Sequence, residues 1–120
     1  MSAFPDNLRK AISTHDLEAL VACFTEDYCC DVPTHPARSF VGQEVVRKNW
    51  TGLFARVPDI EARVLRSVRD GDVVWSEWEM SGTAVDDTPF LVRGVVVAHT
   101  EGDRVAQANF YLDPVERDGS

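Results

Sequence analysis

Apolar side chains recur every three or four residues in the first half of the chain, which is the spacing of one helix face. The stripe of a first predicted helix consists of Phe4, Leu8, Ala11 and Ile12. Asp16 is a typical N-cap for a second helix, whose stripe consists of Leu17, Leu20, Val21 and Phe24. A third helix begins at about Gln43 and ends before Pro58, with one side formed by Val46, Trp50, Leu53, Phe54 and Val57.

The rest of the chain is typical of β-structure. Residues 28–32 form a short strand that Pro33 closes, and residues 34–42 form a loop before the third helix. The second half contains four β-rich runs, at 60–69, 73–82, 90–100 and 104–112. Gly71 and Gly102 lie in Asp-Gly-Asp and Glu-Gly-Asp turns, and glycine supplies the positive φ that tight hairpin turns need.

The predicted order of elements is α-α-β-α-β-β-β-β. Helices come first and an antiparallel meander follows, which is an α+β arrangement with the helices on one face of the sheet. The length of 120 residues fits one domain, which we place at residues 1–115. Residues 116–120 are expected to form a flexible tail.

Composition and charge restrict the possible partners. The chain is 44% hydrophobic and 27% charged, as in ordinary globular proteins, and its net charge is −8. That acidity disfavours nucleic acid and anionic membranes, both of which bind basic surfaces. We see no apolar run of about 20 residues and no secretory signal at the N-terminus. Three cysteines without a disulfide pattern favour a reducing cytoplasmic location.

Several landmarks in order along the chain carry a family resemblance. They are the segments 15–20, 24–27 with Pro33, 40–46, 78–83, 102–105 and 110–114. In this order they resemble the cone-shaped superfamily of nuclear transport factor two, ketosteroid isomerase, limonene epoxide hydrolase, scytalone dehydratase and the SnoaL-like polyketide cyclases. The resemblance implies a curved sheet wrapped on three helices around an apolar pocket. It also implies a homodimer through the outer sheet face.

The catalytic residues best known in this superfamily are missing. Alignment with ketosteroid isomerases puts Leu8 at the tyrosine, Val32 at the base and Val95 at the second acid. Limonene epoxide hydrolases use aspartates two residues from an arginine, where Arg93 has Leu91 and Val95. Neither reaction is therefore expected in its usual form.

Strand alternation then predicts which side chains line the pocket. On the strand at 90–100, the inward set is Leu91, Arg93, Val95, Val97 and His99, and on the last strand it begins at Ala106. Val46 and Leu53 of the third helix close the cavity. The predicted ligand-binding residues are Cys30, Val32, Trp50, Phe54, Ser76, Trp78, Met80, Val95, Val97, Ala108, Phe110 and Leu112. The alternative is that these side chains interdigitate as an ordinary core.

The outer face of the sheet is expected to carry the dimer contact. Its predicted members are Trp75, Glu77, Glu79, Val92, Gly94, Val96, Ala98, Gln107, Asn109 and Tyr111. Such a mixture of aromatic, β-branched and polar side chains suits a protein interface. The alternative is a solvated face with scattered apolar residues.

Four residues are the catalytic candidates. Tyr28 can donate a hydrogen bond to a carbonyl or enolate oxygen, and Asp31 with His35 can form an acid–base pair beside Pro33. An inward Arg93 would stabilise oxyanion charge. Each has a simpler alternative: a core tyrosine, two exposed loop side chains, and a surface arginine.

These features lead to two functional hypotheses. The first is a cofactor-free isomerase, cyclase or dehydratase of SnoaL-like type that acts on a small hydrophobic polyketide-, terpenoid- or steroid-like molecule. The second is a non-catalytic binding or dimerising module of the same fold. His15, His35 and His99 are scattered, so no metal site and no cofactor are expected.

Overall fold

The structure, a computed structural model, describes residues 3–116. Its three helices are α1 Asp6–Ser13, α2 Leu17–Val21 and α3 Gln43–Arg56. Its six strands are β1 Phe24–Asp31, β2 Phe40–Val41, β3 Glu61–Asp70, β4 Val73–Thr83, β5 Pro89–Glu101 and β6 Arg104–Pro114. The predicted α+β class and order of elements are confirmed, and the short β2 is added within the predicted loop. Of the predicted tail, only Glu116 belongs to the described residues.

All six strands form one sheet in the order β2-β1-β6-β5-β4-β3. Every neighbouring pair is antiparallel except β1 and β6, which run parallel. The meander from β3 to β6 therefore ends with β6 as the neighbour of β1 in the sheet. This arrangement places β1 and β6 together in the wall that α3 faces.

Local interactions hold the helices against the sheet. The Asp16 side chain accepts a hydrogen bond from the Ala19 N–H at 3.1 Å and caps α2, as predicted. The Ser13 hydroxyl donates to the Ala62 carbonyl and accepts from the Ala62 N–H, which ties α1 to β3. Phe24, predicted at the end of the second helix, instead begins β1. No helix within residues 3–116 is long and apolar enough to cross a membrane.

The inner face of the sheet follows the predicted alternation on β1 and β4. Buried side chains on these strands and just beyond are Tyr28, Cys30, Val32, Val74, Ser76, Trp78 and Met80. Apart from Ser76, they pack with α1 and α2 in one cluster that includes Leu8, Ile12 and Leu20. The core of the molecule therefore lies on the concave side, beneath the first two helices.

The prediction of which β5 side chains point inward is wrong. Val74, Ser76 and Trp78 lie directly opposite Ala98, Val96 and Gly94, and directly paired residues of antiparallel strands share a face. The inner set of β5 is therefore Val92, Gly94, Val96 and Ala98. The outward set is Leu91, Arg93, Val95, Val97 and His99.

A β-bulge explains this error. His99 pairs with Gln107 and Thr100 pairs with Val105, so Ala106 is an extra residue in β6. An extra residue shifts the pairing by one and reverses which side chains share a face. Uninterrupted pairing would have put Val97 opposite Ala108, whereas the bulge puts Ala98 there. Beside the turn, Val105 is buried instead of the predicted Ala106.

Candidate functional site

An apolar cavity lies between α3, β1 and β6. Its volume is about 220 Å³. It is lined by Phe24, Tyr28, Cys30, Val32, Phe40, Val46, Asn49, Trp50, Leu53 and Phe110. The strand residues form its inner wall, and the exposed Asn49 with the half-buried Trp50 marks the side that opens to solvent.

Several predicted ligand-binding residues line this cavity and others do not. Cys30, Val32, Trp50 and Phe110 are in its wall, together with the predicted catalytic Tyr28. Phe54 packs on the Trp50 ring at 5.6 Å, and Leu112 is half-buried against the core. Val95 and Val97 lie on the outer face of the sheet, because they belong to the outward set of β5.

The centre of the concave side is filled rather than hollow. Ser76, Trp78, Met80 and Ala108 are all buried core residues outside the cavity wall. The Trp78 indole Nε1–H donates to the Ser76 hydroxyl at 2.8 Å, and that hydroxyl donates to the Val96 carbonyl at 3.3 Å. The polar groups of Ser76 and Trp78 therefore have partners within the core. All four residues pack as ordinary core side chains, which is the alternative given above.

Sequence reasoning missed three lining residues. The sequence pattern predicts a helix at Phe24 and a loop at Phe40, so it predicts neither residue in the cavity wall. Asn49 follows Val46 by three residues and precedes Leu53 by four, so helical spacing already put it on the same side of α3. The helical signal for Asn49 was present, but its polarity excluded it from an apolar stripe.

Tyr28 belongs to the wall of this cavity, and its buried hydroxyl is unpaired. The residue is 1% exposed, and its Oη is the one buried side-chain nitrogen or oxygen within residues 3–116 that has no hydrogen-bond partner. Burial, with the neighbouring Cys30 as a further cause, raises the pKa of Tyr28 far above its usual value. The phenol therefore stays protonated and can donate a hydrogen bond to a bound molecule.

Cys30 is the second ionisable group in the cavity wall. It is 5% exposed and lies on the same strand face as Tyr28. Burial raises the pKa of the Cys30 thiol, and the neighbouring Tyr28 offsets a smaller part of that rise. A protonated thiol is a weak nucleophile, so Cys30 contributes apolar surface rather than reactivity.

The predicted pair of Asp31 and His35 does not form. The His35 Nε2 lies 2.9 Å from Asp113 Oδ1, and Arg38 Nη1 lies 3.7 Å from the same oxygen. The backbone N–H of His35 donates to the backbone carbonyl of Val32 and closes a turn over these residues. This turn directs the imidazole toward the end of β6. Asp31 is exposed on the opposite strand face, where it accepts a hydrogen bond from Gln107 Nε2 at 2.9 Å.

Arg93 lies on the outer face of the sheet, against the prediction that it points inward. Its Nε donates to Glu79 Oε2 at 2.7 Å, and Arg63 Nη2 donates to Glu79 Oε1 at 2.6 Å. The hydrogen bonds from Arg63 and Arg93 lower the pKa of the Glu79 carboxyl. The carboxylate therefore stays ionised and engages Arg93 on the face opposite the cavity.

Comparison with protein families gives one match that spans most of the chain. A family model described as a SnoaL-like domain matches residues 6–108. No curated protein matches the sequence. Within residues 3–116, no three histidine, cysteine or acidic side chains come together as a metal site would need.

Solved structures share the fold at low sequence identity. A protein of ketosteroid isomerase-like fold from Catenulispora acidiphila, solved in complex with trimethylamine, has a TM-score of 0.77 and 18% identity over 92% of this chain and 87% of that one. IdmH of Streptomyces antibioticus, a candidate polyketide cyclase, has a TM-score of 0.76 and 21% identity over 90% and 88%. An LEH-like epoxide hydrolase of M. tuberculosis has a TM-score of 0.76 and 16% identity over 90% and 78%.

Proposed function

The chain belongs to the SnoaL-like domain family, and we propose that it is a cofactor-free enzyme that moves a proton on a small hydrophobic carbonyl compound. Isomerisation, cyclisation and dehydration all begin with such a step, and polyketide-like or terpenoid molecules offer suitable carbonyls. The observation that carries the proposal is the buried, unpaired hydroxyl of Tyr28, a residue that lines an apolar cavity. A buried donor without a partner is costly to the free protein and gains a partner when an oxygen binds.

Tyr28 supplies the stabilisation of negative charge. When a proton leaves the carbon next to a carbonyl, the negative charge moves to the oxygen, and a fixed donor in an apolar site stabilises it strongly. Because burial raises the pKa of Tyr28, the phenol donates without giving up its proton. This role replaces the one predicted for Arg93, whose side chain lies on the other face of the sheet.

His35 supplies the base in this mechanism, with Asp113 in place of Asp31. In the tautomer that donates Nε2–H to Asp113, the Nδ1 of His35 carries the lone pair and can accept the substrate proton. The carboxylate then stabilises the imidazolium that forms. Return of the proton to a different carbon gives an isomer. Attack of the enolate carbon on a second carbonyl closes a ring, and the imidazolium then gives its proton to the alkoxide that forms.

Hydrogen–deuterium exchange tests this proposal without knowledge of the natural substrate. We expect the protein to accelerate exchange of the C2 protons of 1-tetralone in D₂O, measured by NMR. Tyr28→Phe should slow the exchange by about 100-fold or more, because one oxyanion donor contributes about 10² to 10³ in rate. His35→Ala should abolish the acceleration, and His99→Ala, which changes an exposed histidine of the outer face, should leave it unchanged.

The second candidate function is binding without catalysis. Two observations favour it: His35 lies outside the cavity wall, and a structural relative was solved in complex with trimethylamine. In this case 1-tetralone would bind in the cavity but its C2 protons would exchange at the buffer rate. That result would remove the catalytic role of His35 and leave Tyr28 as a recognition group.

We also propose a homodimer through the outer sheet face. Val68, Trp75 and Tyr111 are 65%, 54% and 41% exposed there. Strand pairing places the half-buried Val95 and the buried Val97 between them on the same face. Exposed apolar surface of this kind favours a protein partner, and the face is remote from the cavity.

Sedimentation equilibrium tests the dimer directly. We expect the wild-type chain to sediment as a dimer and Trp75→Asp as a folded monomer, because a buried unpaired carboxylate disfavours association. Val85→Asp is the matched control, since Val85 is 69% exposed and lies in the connection between β4 and β5. A monomeric wild type, or a dimer that survives Trp75→Asp, would contradict this interface.

A further inference from the structure

The cavity itself restricts the chemical class of its occupant. We infer that it takes an uncharged aromatic molecule of one or two rings that carries a single hydroxyl or carbonyl oxygen. This inference rests on the cavity being the binding site of the proposed function, and it narrows that function to a smaller substrate than a steroid or a four-ring polyketide. Size, wall chemistry, charge and the position of Tyr28 each support it independently.

The volume sets the size of the occupant. An apolar protein cavity of about 150 Å³ takes up benzene, and sites for drug-sized ligands begin at about 300 Å³. The cavity of about 220 Å³ lies between these values. It encloses one substituted ring or two fused rings, whereas a four-ring skeleton would have to leave much of its surface in water.

The wall determines the preferred shape. Five of the ten lining residues are aromatic: Phe24, Tyr28, Phe40, Trp50 and Phe110. The Phe24 and Tyr28 ring centroids are 4.5 Å apart with their planes at 47°, and Phe40 meets Tyr28 edge-on at 6.0 Å. Rings arranged at such angles offer both faces and edges to a flat guest, which are the contacts that aromatic pairs prefer.

The lining excludes a charged occupant. None of its residues is Asp, Glu, Lys, Arg or His, and the raised pKa values of Tyr28 and Cys30 keep both of these groups neutral. A carboxylate or ammonium group would therefore lose its water without gaining an opposite charge, and such burial is strongly unfavourable. The bound part of the molecule must be neutral.

Tyr28 determines the one polar requirement. Tyr28 is a lining residue whose buried hydroxyl has no hydrogen-bond partner, and Asn49 is exposed at the opening. One oxygen on an otherwise apolar guest satisfies the buried hydroxyl, and further polar groups would meet only aromatic and aliphatic side chains. A phenol or an aryl ketone meets this requirement.

Isothermal titration calorimetry with four probes tests the inference. We expect 2-naphthol to bind about 10-fold more tightly than naphthalene, which has the same ring system without the oxygen. Tyr28→Phe should remove this difference and leave naphthalene binding unchanged. The anion 2-naphthoate and the four-ring ketone androstenedione should each bind at least about 100-fold more weakly than 2-naphthol.

A space-filling variant locates the binding in this cavity. Phe110→Trp adds volume at the wall and should weaken 2-naphthol at least about 10-fold, whereas Tyr111→Trp changes the next residue on the outer face and should not. Tighter binding of androstenedione or of 2-naphthoate would overturn the inferred class. If the protein still accelerated exchange of the C2 protons of 1-tetralone in that case, the proposed function would stand. Only the inferred class of small neutral aromatic ligands would then be wrong. Absence of both exchange and binding would remove both.

Discussion

Replacement of Gly94 by alanine is expected to lower the free energy of unfolding by about 3 kcal/mol or more. Gly94 has φ +154°, and a Cβ built on it would lie 1.9 Å from the carbonyl oxygen of Tyr111 and 2.8 Å from its carbonyl carbon. Both atoms belong to the backbone of β6, which cannot move aside without breaking its pairing with β5. Only glycine permits this close approach of the two strands.

Thermal and urea unfolding measure the effect, with a second glycine as the matched control. Gly94→Ala should lower the melting temperature by about 10 °C or more in a domain of this size. Gly52 lies inside α3, and nothing is found within 4 Å of a Cβ built there. Gly52→Ala should therefore raise stability by about 0.5–1 kcal/mol. Equal stability of Gly94→Ala and the wild type would show that β5 and β6 do not approach as described.

Replacement of Trp78 by alanine is expected to cost about 3–5 kcal/mol. Trp78 has no exposed surface, is among the largest fully buried side chains and lies with its ring 6.3 Å from that of Phe4. Its removal leaves a large void and takes away the indole donor to the Ser76 hydroxyl. This side chain fills the place where the alternation of β4 predicted the wall of a ligand pocket.

Two further variants make the Trp78 result interpretable. Trp78→Phe keeps an aromatic ring but loses the N–H donor, and it should cost about 1–3 kcal/mol. Val85→Ala changes an exposed apolar residue and should remain within about 0.5 kcal/mol of wild type. A loss below about 1 kcal/mol in Trp78→Ala would mean that this part of the concave side is not packed. If Trp78→Ala does not fold, the ordering of the other two variants still tests the claim.

Only part of the candidate site can be predicted from the sequence. Tyr28, Cys30 and Val32 alternate on one strand, so their common direction toward the interior followed from local geometry alone. Asp113 joins His35 from 78 residues away in the sequence. Its contact with His35 depends on the parallel pairing of β1 and β6, which no local pattern indicates.

The amino-acid sequence by itself determined the three helices, every strand except the short β2, the α+β class and the inner faces of β1 and β4. These features depend on spacing over a few residues, where the periods of 3.6 and 2 are set by backbone geometry. Only the tertiary structure decided which side chains of β5 point inward. The single extra residue at Ala106 reverses which β5 and β6 side chains share a face in all the pairs beyond it. The position and size of the cavity were likewise decided by packing. Trp78 fills the centre of the concave side, and the space left over lies where α3 faces β1 and β6.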